Sequence, residues 1–88
     1  MRVSAVDNTF RPESVSVGAG TEVVWTNDGR NDHNIIPVDG SDWGVATDGF
    51  HPDDTYRYTF VEPGTYRYYC SLHGAVDAGM VGAVDVTE

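Results

Sequence analysis

The chain has 88 residues, enough for one domain with an economical core, and one cysteine, which rules out an internal disulfide. Its 14 acids face 5 bases, all of them arginine, for a net charge near −9, the wrong sign for binding nucleic acid. No 20-residue apolar span and no basic segment followed by an apolar one is visible, so neither a membrane-crossing helix nor a signal peptide is expected. Acid-rich, lysine-free composition keeps a protein soluble at high salt, or steers it toward a cationic partner at low salt.

In chain order the signals are those of strands. Val3 and Ala5 lead into Asp7-Asn8, a short strand ending in a turn, and Phe10 and Pro12 follow. Val15 and Val17 alternate with serines, which predicts a half-buried strand. After the Gly18–Gly20 turn, Thr21–Asn27 predicts a strand with Val23 and Trp25 on one face, and Asn27–Asp32 is a polar loop. His33–Pro37 is short and apolar, a strand that His33 opens. Val38–Asp54 shows no periodicity and predicts a long loop with at most one irregular strand. Thr55–Val61 alternates, with Tyr56, Tyr58 and Phe60 on one face. Glu62–Thr65 predicts a type II turn, proline and glycine taking its two central positions. Thr65–Cys70 places Tyr66, Tyr68 and Cys70 on one face, and the last strand places Met80, Gly82, Val84 and Val86 on one face. No apolar run has helical spacing over three turns. Seven or eight short strands predict an all-β fold, a β-sandwich or small barrel, in a single domain over residues 1–88.

The chemistry concentrates near the C-terminus. Cys70, His73 and Met80 fall within eleven residues, between two predicted strands. Thiolate, imidazole and thioether together suit copper better than other common metals. A second imidazole is needed from the body of the fold, and the candidates are His33 and His51. His33 is preferred because it opens a strand; His51 lies in the irregular loop and reads as a solvent-facing or merely packed side chain. Two histidines and a cysteine in a plane, with a weak methionine bond, is the blue-copper pattern. Zinc is the main rival metal, but its structural sites favour several cysteines, and methionine is a poor zinc ligand. Cysteine-protease chemistry usually places its thiolate at a helix N-terminus, and no helix is predicted.

Three blocks carry a family resemblance: Val23–Asn27 with His33-Asn34-Ile35, Pro63–His73 (Pro-Gly-Thr-Tyr-Arg-Tyr-Tyr-Cys-Ser-Leu-His), and Gly79–Val86 (Gly-Met-Val-Gly-Ala-Val-Asp-Val). Together they resemble the cupredoxins, and within them the plastocyanin and halocyanin group, from about Phe10 to Val86. The resemblance implies an eight-stranded Greek-key β-sandwich, one type 1 copper ion cycling between Cu(I) and Cu(II), and one-electron transfer. It carries His33, Cys70 and His73 over as equatorial ligands and Met80 as the axial one. It also implies that Asn34 ties the two ligand loops together, with Ser71 as partner, and that Tyr69 lies on a lateral route for electrons. One departure stands out: plastocyanins usually place four residues between the second histidine and the methionine, whereas Gly74–Gly79 makes six.

The expected function is that of a small electron carrier between a redox protein donor and an acceptor, contacted near His73 through Leu72, Ala75 and Val76. An independent enzyme is not expected, since four protein ligands leave no open position for substrate. A monomer outside the cytoplasm is expected by resemblance, with membrane attachment only through an anchor removed from this chain. Two alternatives remain from the sequence: a copper carrier or store, and a metal-free sandwich acting as a binding module of a larger protein.

Overall fold

The computed structural model describes all residues, Met1–Glu88. Eight strands form in chain order: β1 Arg2–Val6, β2 Thr9–Arg11, β3 Ser14–Gly18, β4 Thr21–Asn27, β5 Ile36–Pro37, β6 Thr55–Phe60, β7 Gly64–Ala75 and β8 Ala78–Thr87. One sheet has the order β2-β1-β4-β6 and the other β3-β8-β7-β5. The result is the expected all-β Greek-key sandwich. The parallel pairs β1 with β4 and β3 with β8 show that the chain crosses between sheets rather than meandering through one.

Alternation decides which side chains fill the space between the sheets. Val3, Ala5, Val23, Trp25 and Phe60 come from one sheet, and Val15, Tyr68, Cys70, Met80 and Val84 from the other; all are buried. Aromatic rings dominate the middle. The Tyr68 ring meets Trp25 edge-on at 5.6 Å and Phe10 at 4.8 Å, arrangements that aromatic quadrupoles favour. Gly82 lies opposite Tyr68 on β8, and a Cβ there would collide with the Tyr68 ring. Burial pushes the Tyr68 phenol up to about 12. The Trp25 indole faces that hydroxyl without reaching hydrogen-bond geometry, so both polar atoms stay unpartnered.

Local chemistry accounts for most boundaries. Asp7 and Asn8 both take left-handed φ values, 52° and 61°, as a two-residue hairpin turn between β1 and β2 requires. The type II turn expected at Glu62–Thr65 does not form. Gly64 has φ 151°, wide of the roughly 80° such a turn needs, because this segment crosses from one sheet to the other instead of closing a hairpin. The strand expected from His33 is also shorter. Only Ile36–Pro37 pairs with β7, and the His33 N–H donates instead to the Phe50 carbonyl at 3.2 Å.

Val38–Asp54 is a long loop, with one 3-10 turn at Thr47–Gly49 and a bridge between Ile35 and Val45. It nevertheless contributes two core residues, Trp43 and Phe50. The Trp43 ring stacks on Tyr58 at 5.9 Å and lies 6.0 Å from Trp25. This loop lies over the sandwich and closes it on the side of β6.

Candidate metal centre

The site arises from one irregularity in the longest strand pair. β7 and β8 pair regularly up to Tyr69 with Val81, and again at Gly74 with Gly79. Between those points, Cys70–His73 stand opposite Met80 alone, four residues facing one. A bulge of this kind stops the ladder and re-aims side chains. Cys70 still follows the inward alternation of Tyr68, and after it the bulge brings His73 round to the same end, partly exposed, while Met80, opposite them, is fully buried.

The tip beyond the bulge is an ordered hairpin, closed by Ala75 with Ala78. The six-residue spacing from His73 to Met80 is therefore taken up by strand pairing. Glycine is required on both sides of this stem. A Cβ on Gly74 would lie 2.5 Å from the Met80 nitrogen, and one on Gly79, which has φ 82°, would lie 2.8 Å from the His73 carbonyl oxygen.

The opposite wall comes from the loop between β4 and β5. His33 is 1% exposed and points Nδ1 at the Cys70 sulfur, 3.8 Å away. His73 points its own Nδ1 at the same sulfur from 3.7 Å. The three donor atoms all lie within 4.8 Å of one another. Burial lowers the pKa of His33, the neighbouring His73 lowers it further, and Asp32 opposes the shift. A neutral imidazole is the form that can donate a lone pair to a metal.

Hydrogen bonds join the two walls. The Asn34 N–H donates to the Cys70 sulfur at 3.5 Å. Its side chain accepts from the Ser71 N–H and donates to the Ser71 hydroxyl, both at 2.8 Å, and reaches Thr47 at 3.2 Å. The partnership of Asn34 with Ser71 is thus as expected, and Thr47 is an addition. Asn27, in sequence only part of a motif, is fully buried and organises the loop. Its amide donates to the carbonyls of Asn31 and Phe50 at 2.9 and 3.0 Å and accepts from the Gly29 N–H at 3.0 Å. A side chain on Gly29 would press on His33 Nε2, at 3.3 Å from its Cβ. His51 lies outside the cluster, exposed, with its ring 2.8 Å from Asp32.

The profile of the family described as "Copper binding proteins, plastocyanin/azurin family" matches residues 1–87. The chain belongs to that family. It is 38% identical over 87 residues to plastocyanin of Rumex obtusifolius, covering 88% of this chain and 86% of that one. It is 35% identical over 86 residues to chloroplastic plastocyanin of Physcomitrium patens, covering 89% of this chain but only 50% of that one. Among solved structures, a purple cupredoxin from Nitrosopumilus maritimus superposes with a TM-score of 0.81 at 27% identity over 98% of both chains. A reduced amicyanin superposes with a TM-score of 0.81 at 26% identity, covering 98% of this chain and 80% of that one. The donor set fits the family's metal: one buried thiol and two imidazole nitrogens converge, with a thioether on the facing strand. The cofactor is a type 1 copper ion, and the chain functions as a blue copper electron carrier.

Proposed function

We propose that His33, Cys70, His73 and Met80 hold the copper ion, and that electrons pass between redox proteins through this one site. The observation that carries the reading is the four-against-one bulge, which sets Cys70 and His73 opposite Met80 and under His33. When bound, the metal supplies a one-electron couple, to which thiolate and thioether lend a preference for Cu(I) and the imidazoles tolerance of Cu(II).

What the chain supplies is a fixed cage. Cys70 and Met80 are wholly buried and His33 nearly so, which keeps water from these donors. The Asn34 N–H held against the Cys70 sulfur removes negative charge from the thiolate and tunes the couple. Cross-links from Asn34 to Ser71 keep the two walls from separating when the charge at the centre changes.

His73 is the one imidazole of the three donors with solvent access, and the exposed Leu72 and Val76 flank it in sequence. We read this as the contact face for donor and acceptor. A cage of four protein donors leaves no position for substrate, so the chain acts as a carrier rather than an enzyme. Work outside the cytoplasm, as one domain over residues 1–88, agrees with the family. The charge of −9 favours a cationic partner, with an association rate that falls as salt rises.

Addition of Cu(II) to the purified apoprotein tests the ligand set. An intense thiolate-to-copper absorption band is expected, and Cys70→Ala should abolish it. A band that survives Cys70→Ala would overturn this cysteine as ligand.

A further inference from the structure

The stem beyond the bulge pairs as far as Ala75 with Ala78 and leaves its turn, Val76-Asp77, to be held by another contact. Arg67 and Val76 are nine residues apart in the same hairpin. A straight strand would separate them by roughly 30 Å. Instead the Arg67 guanidinium donates through Nη2 to the Val76 carbonyl at 3.0 Å. The tip therefore doubles back toward the strand it left. This is the one side-chain hydrogen bond that reaches residues 74–79. In a chain of 14 acids Arg67 pairs with none of them, and directs its permanent charge to a main-chain carbonyl.

We propose that Arg67 is a positioning residue for partner contact. Its bond to Val76 fixes the tip of the hairpin, and with it the apolar side chain that the tip presents next to His73. Val76 is 45% exposed and Leu72 is 51% exposed, so both stand ready to meet another surface. The stem does not depend on this bond, because Gly74 and Gly79 lock His73 and Met80 through their own pairing. Arg67 thus governs the face through which electrons cross, while the donors keep their places. The inference rests on reading His73 as the ligand nearest the partner.

The test uses the copper-loaded protein and its Arg67→Ala and Arg67→Lys variants. Self-exchange of electrons between oxidised and reduced copies is followed by NMR line broadening in about 1 M salt, where the Debye length is about 3 Å and the lost charge is screened. Backbone order parameters are measured on the reduced form. For Arg67→Ala, self-exchange should slow severalfold, and order parameters at Val76 and Asp77 should drop from about 0.85 to below about 0.6. The thiolate-to-copper band should be unchanged. Arg67→Lys, which can still donate to the carbonyl, should recover most of both losses. Wild-type values of either quantity in Arg67→Ala would overturn the proposal, as would equal losses in the two variants. If the wild-type protein itself shows no copper band, the ligand reading fails, and order parameters of the apoprotein still decide whether Arg67 holds the tip.

Discussion

His33 and His73 bring the same ring atom to within 3.8 and 3.7 Å of one sulfur, yet the chain holds them in opposite ways. The His33 wall is made of buried polar side chains. Asn27 and Asn34 satisfy loop carbonyls and amides, and a backbone bond to Phe50 anchors the histidine itself. The His73 wall is made by leaving side chains out. Gly74 and Gly79 let two backbones approach closely enough to pair across the stem. The first wall insulates the centre, and the second brings it near the surface. An electron carrier needs both: a donor set shielded from water, and one edge thin enough for a partner to approach.

If that contrast is right, the two walls should fail differently. The largest effect is expected from Gly74→Ala. Its Cβ would meet backbone atoms of Met80 and Ala78, at 2.5 and 2.9 Å, and neither can turn aside as a side-chain end could. The stem must open, at a cost of about 3 kcal/mol, moving His73 and Met80 together. Denaturant unfolding of the copper-loaded variant should show the loss, along with a weakened and shifted visible band. Asn34→Ala should cost less, about 1 kcal/mol, because Ser71 is exposed and water can replace the lost partner of its N–H. Its band should persist while the metal is lost faster to a chelator. Should Asn34→Ala prove the more damaging variant, side-chain cross-links rather than close backbone approach would be what holds the hairpin wall.

The same contrast explains what could be read from the sequence. The hairpin wall was legible because its donors are clustered: Cys70, His73 and Met80 within eleven residues, on strands whose alternation fixes their face. The sandwich was legible for the same reason, since period-two patterns in β3 and β8 state which side is buried; β6 is less regular, because Tyr58 is exposed although the alternation groups it with Phe60. The His33 wall was harder. The sequence predicts that a strand holds His33, whereas a loop does so through Phe50. Phe50 and Trp43 belong to the core without any periodicity to mark them, because their loop crosses the sandwich instead of running along a sheet. The four-against-one register break could not be read from the sequence either. It follows from pairing on both sides of the site, which only the folded chain displays.

His51 marks the outer limit of the His33 wall and gives the smallest expected effect. Its ring sits 2.8 Å from Asp32, the residue before His33, and both side chains are about half exposed. The hydrogen bond to Asp32 and the charge of that carboxylate raise the pKa of His51 above its ordinary 6.5, with Asp54 and Asp48 adding to the shift. A raised value in the folded state means that the pair stabilises the fold fully below about pH 6.5, and that this contribution fades as pH rises through the folded value. Exposure to water keeps the contribution small. NMR titration of the reduced protein should find His51 above 6.5, and Asp32→Asn should bring it back toward that value. The visible band of Asp32→Asn should match wild type, because the brace lies outside the donor set. A band that shifts with the titration of His51 would extend the insulated wall to the surface, and the contrast between the two histidines would then be one of degree.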